Sequence, residues 1–316
     1  MHTVLPVFKK LYSQKNVPRI FMSAAEQTMR AWAKRLYSLA EVPEIYRDFF
    51  NTLPMFPYTV LTPSYEGFLV KVNPKLVCSF DNQIYVLEHR SNRLEVTCYP
   101  VQNVSYIEAG TILLKSWIKI SGVTPNGLAS STFQFSAVTQ PFFNPIIEPV
   151  RLTSPSANPP ADLQTERDKF DYLLNLHFKF MNYARRSILP GEQVIASLLQ
   201  SEIQAKVLTL LNKTFCRTIS PAHLSILTDW EFIFITEDPE KWTNNGTPYG
   251  GIWTYIPLNK ITAVSLGERD DNTLTLSIHL PENDVVSAIF AMANRSELEQ
   301  FVGQLEKMRH GRKDYA

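Results

Sequence analysis

Glycine is scarce, with 11 residues in a chain of 316. Phosphate-cradling loops of the GxGxxG or GxxxxGK[ST] kind have little raw material, and neither pattern occurs; HExxH and GxSxG are absent too. No cofactor is expected on these grounds. Cysteine is as sparse: Cys78, Cys98 and Cys216 cannot all pair within one chain, and none forms a CxxC. A disulfide framework and a zinc knuckle are therefore not signalled, and reduced thiols are expected. A Cys78–Cys98 bridge would need the two strands carrying them to be neighbours. The six histidines (His2, His89, His177, His223, His279, His310) stand singly, and none is spaced from a cysteine or carboxylate as a metal ligand would be. No apolar run approaches 18 residues, so no spanning helix is expected. The N-terminus, MHTVLPVFKKLYSQK, lacks the apolar core and cleavage site of a secretory signal. Charge of one sign is missing as well. Lys and Arg number 31 against 30 Asp and Glu, which gives no global pull toward nucleic acid, and none is expected as a partner.

What the chain does have is apolar material. Hydrophobic residues make up 45% and aromatics 12%, enough for sizeable cores, and the length suggests about two domains. The balanced charge is uneven locally. Residues 1–35 hold Lys9, Lys10, Lys15, Arg19, Arg30, Lys34 and Arg35 against Glu26 alone, whereas residues 188–316 carry 11 basic and 16 acidic residues.

Residues 1–57 read as mostly helical. Ser23-Ala-Ala-Glu26 is a capping-box pattern, and Met29, Trp32, Leu36 and Leu39 follow at helical spacing. A second short helix is expected over Glu44–Asn51. From Tyr58 the texture becomes that of strands, near 66–72, 75–80, 83–88, 93–98, 102–108, 111–121 and 131–138. TSPSANPPAD (153–162) is a Pro/Ser linker. Gln164–Ile188 then reads as one long helix, with Phe170, Leu173, Leu174, His177, Phe178 and Met181 supplying apolar material. Strands return near 192–200, 223–228, 231–236, 251–256, 261–267, 272–280 and 284–292. The piece Gln204–Leu211 can be helical. An amphipathic helix from Ser296, with Leu298, Phe301, Val302, Leu305 and Met308, ends the chain.

The two strand-rich halves align with each other. LVCSFD (76–81) matches LSILTD (224–229), and YPVQNVSYI (99–107) matches IPLNKITAV (256–264). Asp81 to Pro100 spans 19 residues and Asp229 to Pro257 spans 28, so the second copy carries an insertion, most simply Lys241–Gly250. Two copies are too few for a solenoid, and two separate small domains are expected.

The segment LSILTDWEFIFITED…YIPLNKITAVSLGERDDNTLTLSIHL…SELEQFVGQLEKM resembles a pleckstrin-homology-like domain of the bacterial or GRAM type. KLVCSFDNQIYVLEHRSNRLEVTCYPVQNVSYIEAG in the first half is similar. The resemblance covers roughly 66–310. It implies an α+β, mainly β, architecture of two tandem, partly open antiparallel barrels, each with a capping helix, behind an α-helical N-terminal segment. The units would be a basic helical segment (1–57), a first β domain (58–152), linker and long helix (153–188), and a second β domain with its C-terminal helix (189–310). The closing helix of the first domain would come from 142–150 or from 164–188.

Such folds host binding of many kinds and fix no ligand. Two surfaces stand out. VLPVFKKLYSQK interleaves apolar residues with lysine, as a helix lying on an anionic membrane does; in the other reading the same stripe packs on the first barrel and its lysines are simply solvated. Lys206, Lys213 and Arg217 fall where head-group-binding members of the family often place basic residues, and Trp242 and Trp253 near the longer loop are alternative partner contacts. The expected function is that of a cytoplasmic interaction or adaptor protein with a protein partner, able to work at the inner membrane face. The alternative is a small-molecule or lipid-head-group module with its pocket between the two β domains.

Overall fold

A chain rich in short apolar runs split by Asn, Asp, Gly and Pro has to pair its backbone between strands, and this one does so almost entirely antiparallel. The computed structural model describes residues 31–66, 71–90, 93–155, 159–210, 213–237, 250–269 and 271–313. The fold is mainly β, with several antiparallel sheets and few helices.

The first half opens with β1 (Lys34–Leu36), a 3-10 turn at Leu39–Glu41 and helix α1 (Glu44–Phe50). Next come β2 (Tyr58–Leu61) and a small hairpin of β3 (Tyr65–Glu66) and β4 (Lys71–Val72). Then follow β5 (Lys75–Phe80), β6 (Gln83–Arg90) and β7 (Arg93–Pro100). A 3-10 turn at Val101–Asn103 leads to β8 (Val104–Ile112), β9 (Lys115–Thr124), β10 (Gly127–Ser136) and helix α2 (Asn144–Arg151). The connecting segment holds α3 (Leu163–Asp168), a 3-10 turn at Asp171–Leu174 and α4 (Phe178–Ser187).

The second half follows the order that the first shows from β2 on. It runs β11 (Val194–Gln200), a hairpin of β12 (Ile203–Leu210) and β13 (Lys213–Ser220), then β14 (His223–Thr228), β15 (Glu231–Thr236) and β16 (Gly250–Pro257). A 3-10 turn at Leu258–Lys260 leads to β17 (Ala263–Arg269), β18 (Thr273–His279), β19 (Val285–Ala291) and helix α5 (Arg295–Lys313). Pro100 and Pro257 hold nearly the same backbone, φ −57° with ψ 130° and 135°, and each ends a strand and starts a 3-10 turn. Proline suits both jobs, because its fixed φ opens the turn and its missing N–H takes it out of the ladder.

One sheet has the order β1-β2-β5-β6-β7 and another is β17-β18-β19. The middle sheet is seven-stranded, β10-β9-β8-β16-β15-β14-β11, and belongs to both halves. β8 pairs antiparallel with β16 from Ile107↔Tyr255 to Ile112↔Gly250. The separate small domains expected from the repeat are thus joined edge to edge. Strand alternation fills the cores. Val77, Ile84 and Val86 face a cluster with Ile107, Ile118, Phe133 and α2 residues Ile146, Ile147 and Val150. Leu76, Cys78 and Leu87 face the other side, toward Tyr46 and Phe50 of α1. α2, rather than the 164–188 segment, therefore closes the first core. In the second half Leu298, Phe301 and Leu305 of α5 close a core with Phe232, Leu276 and Phe290.

Several expectations are corrected. The helix predicted across Met29–Leu39 is not formed over its described part, because Lys34–Leu36 pairs with Tyr58–Leu61 as a sheet edge. Ala33 enters the first core and Leu36 the opposite cluster, as extended residues three apart must. Gln204–Leu211 is not helical: through Leu210 it is strand, paired antiparallel with the Lys213–Ser220 run in a hairpin, as the β-branched residues in both runs favour. The single helix over 164–188 is broken in two. At about 37 Å it would overrun β11, which is about 23 Å long. The break lets Phe170 and Leu173 as well as Phe180, Met181 and Ala184 reach the same sheet face. The strand expected at 66–72 is the β3 and β4 pair instead. Cys78 and Cys98 both pair with Tyr85, on opposite sides of β6, so their strands are not neighbours and all three thiols are free.

The β8–β16 joint needs Gly250. Its φ is 151°, and a Cβ there would sit 2.3 Å from the Thr111 carbonyl oxygen. Gly250→Val should therefore cost about 1–3 kcal/mol in urea denaturation. Gly303→Ala, in the open on α5, should instead gain up to about 1 kcal/mol. A neutral Gly250→Val would show that the strands can part there without loss.

Candidate interaction surface

Of the basic N-terminal residues, Lys9, Lys10, Lys15, Arg19 and Arg30 lie outside the described residues. Lys34 is exposed on β1. Arg35 is committed locally: its guanidinium donates to the Thr59 carbonyl (2.7 Å) and lies 3.6 Å over the Tyr58 ring. It ties β1 to β2 and offers little to a membrane.

Lys206, Lys213 and Arg217 fall on one hairpin, β12–β13. Lys206 stands opposite Cys216, and Arg217 opposite Ala205. Neighbouring residues of a strand point to opposite faces, so Lys206 and Arg217 diverge. Lys213 pairs with Leu210 at the tip. Trp242, like most of the Lys241–Gly250 insertion, lies outside the described residues. Trp253 is half-buried in β16, with its ring 4.7 Å from that of Tyr183.

The connecting segment builds a surface that periodicity did not reveal. Phe170, Leu173, Phe180 and Ala184 turn inward onto β14 and β15. Tyr172, Leu174, Leu176 and Phe178 are left outward, 46%, 52%, 66% and 60% exposed. Helical periodicity puts Leu174 and Phe178 among the apolar material of one helix, and the break at Asn175–His177 turns them to solvent instead. The signal was present in sequence: Tyr172, Leu173, Leu174, Leu176 and Phe178 are more apolar residues than one helical stripe can bury.

This segment runs beside β11, the last strand of the seven-stranded sheet. Its side chains occupy the start of that edge, where Val194 N–H donates to Glu166 Oε2 (2.6 Å) and the Val194 carbonyl accepts from Lys169 Nζ (2.9 Å). The Tyr172 hydroxyl shares a hydrogen bond with Ser197 Oγ (2.8 Å). Beyond that point a groove of about 580 Å³ opens between Tyr172 and Leu176 on one wall and Asn294 and Glu297 on the other. Gln200 forms part of its floor, with Oε1 accepting from Ala291 N–H and Asn294 Nδ2, both at 2.9 Å. The groove thus joins an apolar lip to a polar floor and one acid, the usual makeup of a site for a partly apolar ligand.

The junction between the halves is filled by side chains. Arg151, at the end of α2, donates through Nε to Glu231 Oε1 of β15 (2.8 Å) and through Nη2 to the Ser187 carbonyl (2.5 Å). Its guanidinium lies 4.0 Å over the Tyr255 ring. Glu192 accepts from Thr228 Oγ1 (2.6 Å) and Leu189 N–H (2.8 Å), and Arg151 Nη2 is 3.9 Å from it. One buried cation faces two buried carboxyls. Burial, and then the charge of Glu231, push Glu192 up to about 8, so it holds its proton at neutral pH. Burial also raises Glu231, against the lowering effect of Arg151. Among the described residues no three of His, Cys, Asp and Glu come together as metal ligands would, and no helix is long and apolar enough to cross a membrane. The chain matches no family model and no curated protein sequence.

Proposed function

We propose that this chain is an interaction protein built on two tandem pleckstrin-homology-like units, and that it receives a protein partner in the groove beside β11. The observation that carries the reading is the outward pair Tyr172 and Leu176 on the wall of that groove, with Leu174 and Phe178 exposed on the same segment. Four large apolar side chains exposed together on one segment mark a contact surface, while scattered exposed ones do not. Among the described residues no strand pairs with the outer edge of β11, and beyond Ser197 that edge adds main-chain groups that an extended segment can pair with. The alternative, a small molecule held between the halves, is less favoured, because that junction is packed by Arg151, Glu192, Glu231 and Tyr255.

The test is site-specific photocrosslinking in the native cell. A benzophenone side chain at Leu176 should capture a discrete partner. One at Met55, which is as exposed but lies far from the groove in sequence and fold, should not. Equal capture from both positions, or none from Leu176, would remove the groove from consideration.

A further inference from the structure

The joint between the halves has a rule that the chain leaves half used. β8 begins the small sheet of the first half, and β16 ends the large sheet of the second. Their pairing is first-strand-of-small-sheet against last-strand-of-large-sheet. The counterparts are β17, which begins β17-β18-β19, and β7, which ends β1-β2-β5-β6-β7. Among the described residues both are edge strands with no strand on their outer side. Six of the seven residues of β17 are exposed, and on β7 so are Arg93, Glu95 and Val96.

The matched prolines transfer the register. Pro100 corresponds to Pro257, and residues around them correspond at the same offset. The pairs Tyr255↔Ile107, Trp253↔Ala109 and Gly250↔Ile112 of the internal joint become Cys98↔Val264, Val96↔Leu266 and Arg93↔Arg269. Val96 (41% exposed) and Leu266 (37%) are large apolar residues left in water on the two free edges, and this register sets them face to face. Leu94 and Val264 fall on the same side of the ladder, as strand alternation requires. On the other side Glu95 meets Gly267, which leaves room for it, and lies diagonal to Arg269. Arg93 against Arg269 is one like-charged pair, at the end of the joint.

We propose that copies of this chain associate head to tail, β17 of one pairing antiparallel with β7 of the next in the register that joins β8 to β16 within the chain. The occupant is a second copy because only the β7 edge repeats the sheet position that β16 holds at β8. Such a contact is heterologous, so it closes into a ring or extends as a filament. It uses neither wall of the groove beside β11 and does not depend on that reading.

The register makes the test specific. Two full-length versions are made in a Cys98→Ser, Cys216→Ser background, one with Val96→Cys and the other with Leu266→Cys. Mixed and gently oxidised, they should yield a covalent species of twice the 36.2 kDa chain mass. Neither version alone should do so, nor should Leu266→Cys mixed with Met55→Cys. In sedimentation velocity the unsubstituted chain should grow with concentration, and Leu266→Arg should weaken that association at least about tenfold. A chain that stays monomeric, a crosslink equal to the Met55→Cys control, or an association indifferent to Leu266→Arg overturns the proposal.

Discussion

Arg151→Met should destabilise the protein by about 3–5 kcal/mol, the cost of leaving a buried carboxylate without its cation. Glu231 is the group stranded. It is fully buried, so water cannot replace the guanidinium without opening the junction. Four elements meet at Arg151: α2, the end of α4, β15 and β16. Losing it should loosen the halves from each other as well as lower the total. The double variant Arg151→Met, Glu231→Met should recover most of the loss. Both charges are then gone, and Glu192 stays neutral and bonded to Thr228 and Leu189. Urea denaturation of parent, single and double variants gives the three numbers needed. A single variant within about 1 kcal/mol of the parent would mean that Glu231 takes a proton at little cost and the cation is dispensable.

That network shows what patterning can and cannot reveal. Apart from the β12–β13 hairpin, the strands from β5 onward are legible, because each has a face to bury and alternation records it. The LVCSFD and LSILTD windows, with Pro100 and Pro257, were legible because proline has a fixed job at both places. α5 is legible because one stripe, Leu298, Phe301, Leu305 and Met308, carries its packing. The joint was not. Nothing in YIEAGTI says that its outer edge will meet GGIWTY, since backbone pairing is indifferent to side-chain identity. Arg151 and Glu231 lie 80 residues apart, and an arginine near the end of a helix reads as an ordinary favourable end charge. The groove is hidden for another reason: the periodicity over 164–188 fits one helix, and one helix leaves the apolar surplus looking buried. Lys34–Leu36 failed in the same way, its helical spacing overridden by the free edge of β2.

Acid should unfold the protein partly through one histidine. His223 is buried on β14, with its ring 4.8 Å from Phe290 and 5.0 Å from Phe234. Nδ1 lies 3.2 Å from the Pro221 carbonyl and serves as the donor, which leaves Nε2 buried and unpartnered among the described residues. Burial lowers its pKa from the ordinary 6.5 to about 4. As pH falls below 6.5 the unfolded chain takes up a proton that the folded ring refuses. Stability from this site is complete above 6.5 and is lost progressively until the folded ring itself titrates near 4, for a total of about 3 kcal/mol. His223→Leu has a similar volume and no proton to bind, so it should flatten that part of the profile. Urea midpoints for parent and variant at about pH 7 and about pH 4.5 read the difference directly. The carboxyls contribute to both proteins alike, so only the gap between the two profiles belongs to His223. The parent should lose about 2–3 kcal/mol more than His223→Leu over that interval. Parallel profiles would mean that the ring reaches water, or gains a partner, as soon as it charges.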